Sequence, residues 1–393
     1  MKVLHLISSG GMYGAEAVIL NLSQALNESS HSSVLGVFSN YSNPNLQLHE
    51  SALREGIESN LIPCNGQIDG TVAASIRDLA ARTKADVVHA HGYKADVYAY
   101  VALRGTATPM VSTCHNWLKD NPLVSFYGMV DRFVLRNYDA VIAVSAEVRA
   151  RLLKAGVSAE KIRFIRNGID LRPFAQAVPS LPATSDCANA FTVGWVGRLS
   201  NEKGPDIFLQ AAARVLIDCP DARFVIVGDG PDLNKINVLI DELAIRKNVL
   251  LTGRREDMPS VYASLDLMVS SSRQEGLPMA ILEGMASGLA LVATAVGEVS
   301  TVVLDDQTGV VVPSEDVESL AAGIIKLLQD PTLRKRFGNA GLKLIEEQFS
   351  AQRMTAEYLH VYDDVVATKD VARRSGLKLL ASTDKSEMKR GGK

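Results

Sequence analysis

Residues 267–288 read LMVSSSRQEGLPMAILEGMASG, which predicts a buried strand, a polar loop and a helix in succession. Pro278 stands where the helix takes its first turn, a position at which the missing N–H of proline is no loss. The helix start leaves free amide groups and a positive potential beside Glu275. Glu283 lies farther along the helix, and no other residue between 276 and 297 is charged. We predict that both carboxylates bind a ligand carrying hydroxyls and phosphates; a helix-capping Glu275 and an exposed Glu283 are the alternatives.

Short β-branched runs like this strand alternate with helix-length segments along the whole chain. Most runs are apolar throughout, which is typical of parallel strands covered on both faces. The alternation occurs twice and predicts an α/β protein, with two Rossmann-like doubly wound parallel-sheet domains facing across a cleft. The predicted strands are 3–7, 34–38, 87–90, 110–113, 141–144, 191–196, 224–227, 249–251, 267–269, 291–293 and 310–312.

The domain boundaries follow from local composition. Residues 1–170 and 191–350 form the predicted domains, and 171–190, with three prolines and few large apolar residues, is the predicted interdomain linker. A helix at 351–367 is predicted to pack back toward the first domain. Residues 368–393 are predicted to be a flexible tail, which is basic because 369–393 hold eight Lys or Arg against three Asp or Glu. A solvated tail is favoured, and contact with anionic lipid is the alternative.

Overall composition excludes several classes of protein. The chain has 393 residues, 47% of them hydrophobic and 22% charged, which suits two domains with apolar cores. The net charge of −3 predicts no nucleic-acid partner. The four cysteines lack metal-site spacing, and no run is long enough to span a bilayer. We therefore expect a cytoplasmic protein, at most peripheral on the cytoplasmic face of the inner membrane.

A glycine-containing loop follows the first strand of each domain. Gly10 and Gly11 lie in SSGGMYGAE (8–16), where backbone amides suit a phosphate and a plain tight turn is the alternative. Arg198 and Lys203 lie in GRLSNEKGP (197–205) and can converge on one diphosphate, with two solvated cations as the alternative. The loop at 8–16 has neither the P-loop nor a clean dinucleotide-binding spacing, which disfavours ATPase and dinucleotide-binding functions.

Together these motifs resemble glycosyltransferase family 4, whose members are retaining, nucleotide-sugar-dependent enzymes of the GT-B fold. The motifs are E-x7-E at 275–283, R-x4-K at 198–203, NGID at 167–170, GDGP at 228–231 and GGMYGAE at 10–16. The resemblance covers essentially residues 1–365. The first two motifs in combination are specific, whereas the glycine segments alone are not.

The resemblance implies a role for each of these residues. Arg198 and Lys203 would hold the donor diphosphate and stabilise the leaving group, and with Glu275 and His115 they are the predicted catalytic residues. Glu275 would bind hydroxyls of the transferred sugar, and Glu283 would bind those of the ribose. The remaining predicted donor-binding residues are Gly10, Gly11, Arg255, Gly276, Leu277 and Met279, the last three through backbone N–H groups.

Histidines follow or form two strands of the first domain. His115 lies in TCHN (113–116), where similar enzymes place a sugar-contacting histidine, although Asn116 departs from the His-Asp form frequent in the family. His89 and His91 alternate along one strand and could offer two metal ligands. No third ligand is spaced to complete a site, so we predict no metal and no cofactor. The resemblance instead places this pair beside the acceptor.

The roles of two further segments can each be interpreted in two ways. Arg254 and Arg255 in LTGRRED (251–257) would border the nucleobase, with a solvated loop as the alternative. Residues 117–136 carry apolar side chains at helical spacing. A core-facing helix is favoured there, and an acceptor wall or a lipid contact is the alternative.

The predicted reaction moves a sugar from a UDP- or GDP-sugar to a hydroxyl of a carbohydrate or lipid-linked saccharide acceptor. Its place would be polysaccharide, lipopolysaccharide or glycolipid biosynthesis. No carboxylate pair is set as nucleophile and acid, so front-face departure with retained configuration is favoured. Domain closure about Asn167-Gly168 would assemble the site. The alternatives are a nucleotide-sugar epimerase, a phosphorylase and a non-catalytic nucleotide-binding scaffold.

Overall fold

The structure, a computed structural model, describes residues 1–12, 14–41, 44–66, 69–115, 133–181 and 191–388, and of residues 372–388 the backbone alone. The chain divides into two compact units. The first unit consists of Met1–Arg166 together with the chain from Met354 onward, and the second unit is Asn167–Arg353. Most of the helix predicted at 117–136 lies outside the described residues.

The first unit is built on a seven-stranded parallel sheet in the order β3-β2-β1-β4-β5-β6-β7. The chain winds outward in opposite directions from β1 and β4, so the topological switch point of the sheet lies between these two strands. The strands are β1 Lys2–Ile7, β2 Ser32–Ser39, β3 Glu58–Pro63, β4 Val87–His91, β5 Met110–Cys114, β6 Ala140–Ala143 and β7 Ile162–Phe164. The helices are α1 Gly14–Glu28, α2 Gln47–Arg54, α3 Val72–Thr83, α4 Tyr93–Leu103 and α5 Ala146–Lys154.

The second unit holds a six-stranded parallel sheet in the order β10-β9-β8-β11-β12-β13, with its switch point between β8 and β11. The strands are β8 Thr192–Val196, β9 Arg223–Val227, β10 Val249–Gly253, β11 Leu267–Ser270, β12 Leu291–Thr294 and β13 Gly309–Val312. The helices are α6 Arg172–Ala175, α7 Pro205–Asp218, α8 Leu233–Glu242, α9 Met258–Tyr262, α10 Met279–Ala286, α11 Val317–Gln329 and α12 Pro331–Gln348. Helix α13, Ala351–Met388, starts in this unit and belongs to the first unit from Met354 onward.

The apolar strands are explained by burial on both faces of each sheet. In the first unit Leu4 and Leu6 join one hydrophobic cluster, while Ile7 packs with Leu35 and Val37 in another. Because successive side chains of a strand point to opposite faces, these clusters lie on the two sides of the sheet. The two predicted doubly wound sheets are confirmed.

All eleven predicted strands overlap strands of the structure, but the sequence pattern missed β3 and β7. Both are edge strands, each paired with one neighbour only. The β3 sequence ESNLIP is mostly exposed or half-buried, with Ile62 as its one buried residue. An edge strand does not need the continuous apolar run by which the central strands were predicted.

The segment predicted as the interdomain linker is structured up to residue 181, and residues 182–190 lie outside the described ranges. Its residues 172–175 form α6, and the ring of Phe174 lies 6.1 Å from that of Tyr262. The Ser180 hydroxyl donates to Asp257 Oδ2 at 2.6 Å. This part of the segment therefore packs on the second unit.

Helix α13 replaces most of the predicted flexible tail, because it continues from Ala351 to Met388. Residues 368–388 are rich in Ala, Leu, Lys and Arg, which have high helix propensity, and this outweighs the single Gly376. The Lys369 ammonium lies 3.1 Å from Asp139 Oδ1, an ion pair within the first unit. Residues 389–393 lie outside the described residues. None of the helices in the described part of the chain is both long and apolar enough to cross a bilayer.

Candidate functional site

The carboxyl ends of β8 and β11, at the switch point of the second sheet, carry the two loops with the predicted catalytic residues. Open α/β sheets bind ligands at this position. After β8 a short 3₁₀ turn, Asn201–Lys203, leads through Gly204 into α7, which has Pro205 in its first turn. Gly204 has φ +63°, and a Cβ there would lie 2.2 Å from the Ser271 carbonyl oxygen at the end of β11. The glycine therefore permits the two loops to touch.

Lys203 and Glu275, predicted from separate motifs, form a direct ion pair. Lys203 Nζ lies 2.5 Å from Glu275 Oε1, and the Ser272 hydroxyl donates to the same oxygen at 2.7 Å. The Glu275 side chain is only 8% exposed, whereas that of Lys203 is 27% exposed. The carboxylate is thus held in one orientation by two donors, and the ammonium keeps a solvent-facing side.

Arg198 is the exposed cation of this site. Within the described residues its guanidinium takes part in no ion pair, so its donors are available to a ligand. The GDGP loop after β9 supports its backbone: Leu199 N donates to Asp229 O, and Asp232 N donates to Leu199 O, both at 3.0 Å. A Cβ on Gly228 would lie 1.9 Å from Gly197 O. The glycine segment, which the sequence suggested only by resemblance, has a structural role in packing the Arg198 loop.

Arg273 joins the loop after β8 to the loop after β11, a role that was not predicted from the sequence. Its guanidinium forms two hydrogen bonds with Asp206, at 2.9 and 2.7 Å, and a third at 3.0 Å with Glu315. Its Nη1 also donates to Asn201 O at 2.8 Å. The bonds to Asp206 raise the pKa of Arg273, so the clamp remains charged. The available signal in the sequence was an arginine two positions before Glu275.

Met279 is the first residue of α10, whose first amides have no intrahelical partner, and Gly276 and Leu277 lie just before its N-cap residue, Pro278. None of these three amides has a hydrogen-bond acceptor among the described residues. The loop after β12 supports this backbone, because Glu298 N donates to Gly276 O at 3.0 Å. Gly297 has φ +54°, and a Cβ there would lie 1.9 Å from Glu275 O. The conformation of the loop that carries Glu275 therefore requires a glycine at position 297.

Glu283 is half-buried on α10 and has a single hydroxyl partner. The Tyr262 hydroxyl donates to Glu283 Oε2 at 2.7 Å, and Tyr262 itself is fully buried. Burial raises the pKa of Glu283, and the bond from Tyr262 offsets part of that rise. Glu283 is therefore not the exposed helix residue that was the alternative. The partner tyrosine lies in α9 and could not be identified by spacing.

Arg255 lies apart from this group and is already engaged. Its guanidinium forms a two-point contact with Asp257, at 2.8 and 2.7 Å, and its Nη2 lies 3.2 Å from Ser180 Oγ. Arg254 is exposed. The contact of Arg255 with a nucleobase stays a prediction. The ion pair with Asp257 does not favour it, because the guanidinium already has a partner.

In the first unit Gly10 and Gly11 follow β1 at the switch point of that sheet. Gly10 is exposed, and Gly11 is buried with φ +150°. The Ser9 hydroxyl holds the turn, lying 2.9 Å from Gly11 O and 3.0 Å from Glu16 Oε1. Tyr13 lies outside the described residues. The turn is compact, and it brings the first turn of α1 against the loop.

His115 is the outer member of a group of four histidines in the first unit. Its Nε2 lies 3.1 Å from His91 Nδ1, and His91 Nε2 lies 3.0 Å from His5 Nδ1. His89 instead contacts the Tyr362 hydroxyl at 2.7 Å and Thr113 Oγ1 at 2.8 Å. Burial lowers the pKa of His115 to about 4 and that of His5 to about 3, so these rings are neutral at neutral pH.

Strand register explains why these side chains meet. His5 is the register partner of His89, and His91 that of Thr113, on neighbouring strands. Their spacing of two residues keeps them on one face. The sequence analysis named His89, His91 and His115 but missed His5, whose place became clear only from the pairing of β1 with β4.

The positions of these histidines are relevant to the prediction that the protein binds no metal ion. The ligand atoms of His5, His89 and His91 lie within 4.8 Å of one another, which is close enough to consider an ion. Both ring nitrogens of His89 and of His91 already have hydrogen-bond partners, so binding would break those contacts. The third ligand that spacing did not provide is thus present, but the arrangement does not fit a metal without rearrangement.

Comparison with known proteins covers both units. The family model described as Glycosyl transferases group 1 matches residues 188–344, and that described as Glycosyltransferase Family 4 matches residues 12–172. The UDP-Gal:alpha-D-GlcNAc-diphosphoundecaprenol alpha-1,3-galactosyltransferase of Escherichia coli is 28% identical over 309 residues, which cover 75% of this chain and 79% of the relative. The N-acetyl-alpha-D-glucosaminyl L-malate synthase of Bacillus anthracis is 26% identical over 332 residues, covering 82% and 85%.

Among solved structures, Anabaena HepE in complex with UDP-glucose matches with a TM-score of 0.79 at 22% identity, covering 93% of this chain and 100% of that one. This likeness concerns the fold. The match of both family models, with the two parallel sheets and the loops at their switch points, shows that the chain is a glycosyltransferase of family 4 with the GT-B fold.

Proposed function

We propose that the enzyme transfers a sugar from a UDP- or GDP-sugar to a hydroxyl of a saccharide acceptor, with retention of the anomeric configuration. The observation that carries this proposal is the Lys203–Glu275 ion pair together with the exposed guanidinium of Arg198, which forms no ion pair within the described part of the chain. These groups lie on adjacent loops at the carboxyl edge of the second sheet. They supply two cations for a diphosphate and an oriented carboxylate for sugar hydroxyls.

Charge development during the reaction explains the two cations. When the bond between the sugar and the diphosphate breaks, negative charge grows on the leaving phosphate. Arg198 can bind two oxygens with its planar fork, and Lys203 adds a mobile point charge. The amides of Gly276 and Leu277, which precede α10 and have no acceptor among the described residues, would add two further donors. We propose that these residues stabilise the negative charge that develops on the leaving diphosphate.

The two carboxylates would bind hydroxyls and leave the proton transfers to other groups. Glu275 is held by Lys203 and Ser272 through Oε1, which leaves Oε2 to accept from a sugar hydroxyl. Glu283 would accept from the ribose hydroxyls while Tyr262 holds its other oxygen. A glutamate paired with a lysine is a weak nucleophile, so a covalent sugar intermediate on Glu275 is disfavoured. Front-face departure, in which the leaving phosphate takes the acceptor proton, is the remaining retaining route.

The finer identity of donor and acceptor rests on the relatives. A UDP-galactose donor and a diphosphoundecaprenol-linked acceptor occur in the name of the E. coli relative, and UDP-glucose is bound in HepE. We propose that this enzyme likewise uses a uridine nucleotide sugar as its donor. Its acceptor would be a lipid-linked or other carbohydrate in glycan or glycolipid biosynthesis. Cys64 is a buried free thiol, which supports a reducing, cytoplasmic location. We propose no metal or cofactor for the reaction.

A binding panel followed by product analysis tests this function. UDP, GDP, ADP and their sugars are compared by thermal shift, and the best donor is then incubated with and without saccharide acceptors. We expect a uridine or guanosine diphosphate to raise Tm, and an α-linked donor to give an α-linked product by proton NMR. A product of inverted configuration would contradict retention. Conversion of the donor sugar without an acceptor would indicate an epimerase.

A further inference from the structure

Three histidine rings of the first unit form a hydrogen-bonded chain that ends in a buried nitrogen, which has no partner among the residues that the structure describes. The chain runs from His115 through His91 to His5, with ring centroids 5.4 and 5.3 Å apart and ring planes 25° and 28° from parallel. His5 and His91 are buried, and His115 is half-buried at the carboxyl end of β5. The contacts use both nitrogens of His91 but only one each of His5 and His115.

Neutral imidazoles allow only two arrangements of protons in this chain. Each ring has one N–H and one lone pair, and His91 must donate at one nitrogen and accept at the other. Either all three rings are Nδ1–H tautomers, or all three are Nε2–H tautomers. The state of the innermost ring therefore fixes the state of the outermost.

The inner end of the chain favours one of these two arrangements. His5 Nε2 is buried and has no hydrogen-bond partner among the described residues. In the Nε2–H arrangement that atom would be a buried, unpaired N–H donor, whereas in the Nδ1–H arrangement it is an unpaired acceptor. Orphaned buried N–H groups are the rarer of the two in folded proteins. The Nδ1–H arrangement also leaves an N–H on His115 Nδ1, which has no acceptor among the described residues.

We propose that His5 and His91 are positioning residues that hold His115 as the Nδ1–H tautomer, so that His115 donates a hydrogen bond to an oxygen of the bound sugar. The contact with sugar rests on the proposed function, but the tautomer does not. His5, two rings away in the sheet of the first unit, thus determines which nitrogen of His115 carries the proton.

His89 provides a matched control within the same cluster. Its ring lies 4.1 Å from that of His91 between centroids, so its replacement disturbs the same packing. Its hydrogen bonds go to Tyr362 and Thr113 and not to the chain of three. His89→Phe should therefore leave the tautomer of His115 unchanged, whereas His91→Phe should release it.

The test is nitrogen-15 NMR of the ligand-free protein labelled at histidine, which has only seven histidines to assign. We expect a protonated Nδ1 and an unprotonated Nε2 at His115 in the wild type and in His89→Phe, and a changed or mixed state in His91→Phe. A protonated Nε2 at His115 in the wild type would overturn the proposal. Stoichiometric bound zinc that is removed by chelator together with a change at His5 Nε2 would also overturn it.

A kinetic arm separates this proposal from the proposed function. With the best donor, His91→Phe should lower kcat/KM about three- to tenfold, the effect of one neutral hydrogen bond, while His89→Phe changes it less. Equal losses in the two variants would contradict a positioning role for His91. If no nucleotide sugar binds at all, the proposed function fails, and the NMR spectrum still decides the tautomer.

Discussion

Lys203 Nζ lies 2.5 Å from Glu275 Oε1, although the two residues are 72 positions apart in the chain. The pair is assembled because β8 and β11 are neighbours at the switch point, so the loops that follow them meet. Each residue restrains the other: the ammonium holds the carboxylate in one orientation, and the carboxylate holds the ammonium at the carboxyl edge of the second sheet. The predictions below concern the contacts that maintain this arrangement.

Breaking the Arg273 clamp should loosen the site while the catalytic residues remain intact. Arg273→Ala removes the bonds to Asp206 and to Asn201 O, so the Lys203 turn loses its fixed place against the Glu275 loop. We expect kcat/KM to fall about tenfold or more, since misplaced groups lose most of their effect. Steady-state kinetics measure this. Arg246→Ala, which removes an exposed ion pair with Asp241, is the control and should retain full activity; equal activity in both variants would refute the clamp.

Gly297→Ala should displace the Glu275 loop. Its Cβ would lie 1.9 Å from Glu275 O, and the residue has φ +54°. Strain of this kind costs about 1–3 kcal/mol and should also weaken donor binding. Gly288→Ala is the matched control, because Gly288 has φ +72° with nothing within 4 Å of a Cβ. Urea unfolding and donor titration should show a stability loss in both variants but an affinity loss in Gly297→Ala alone; unchanged affinity in Gly297→Ala would contradict this support role.

Tyr262→Phe should destabilise the second unit in a pH-dependent way. The hydroxyl bond offsets part of the rise that burial causes in the pKa of Glu283, so its loss raises that pKa further. A carboxyl group with a raised folded pKa stabilises the fold at low pH, and the stability is lost as the pH rises through that pKa. The variant should lose about 1–3 kcal/mol near neutral pH and less in mild acid. Urea unfolding at both pH values measures it, and an equal loss at both would contradict the assignment.

Acid should destabilise the first unit through its buried histidines. Burial lowers the pKa of His115 to about 4 and of His5 to about 3, from a usual 6.5. A base with a depressed folded pKa favours the fold above its unfolded pKa, and that stability is lost as the pH falls from about 6.5 toward these values. The hydrogen-exchange protection factors of amides in β1 and β4, which correct for the intrinsic exchange rate at each pH, should therefore fall over this range. His5→Leu should flatten the dependence, and an unchanged profile in that variant would exclude His5 as a contributor.

The central strands could be predicted, and candidate site residues proposed, because burial and loop chemistry leave local signals in the sequence. Apolar runs marked β8 and β11, two cations five residues apart marked Arg198 and Lys203, and an isolated charge marked Glu283. Contacts that depend on which strands are neighbours in the sheet leave no such local signal in the sequence. His5 joins the histidine chain only because β1 pairs with β4, and Tyr262 reaches Glu283 from another helix.

The edge strand β3 and the helical tail escaped prediction for a different reason. Edge strands tolerate polar sequence, so β3 lacked the apolar run that marks a central strand. In the last part of α13 net charge suggested a solvated, flexible tail, while helix propensity favoured continuation of the preceding helix. Charge pattern and propensity gave opposite indications there, and the helix extends to Met388.

The central claim is that Arg198 and Lys203 form the diphosphate site of the donor. Titration calorimetry with the best-binding nucleoside diphosphate and its parent nucleoside tests it directly, in the wild type, Arg198→Ala and the surface control Lys343→Ala. We predict that Arg198→Ala lowers diphosphate affinity about tenfold or more and leaves nucleoside affinity unchanged, because a charge-assisted contact is lost. Lys343→Ala should match the wild type. Undiminished diphosphate affinity in Arg198→Ala would contradict the account.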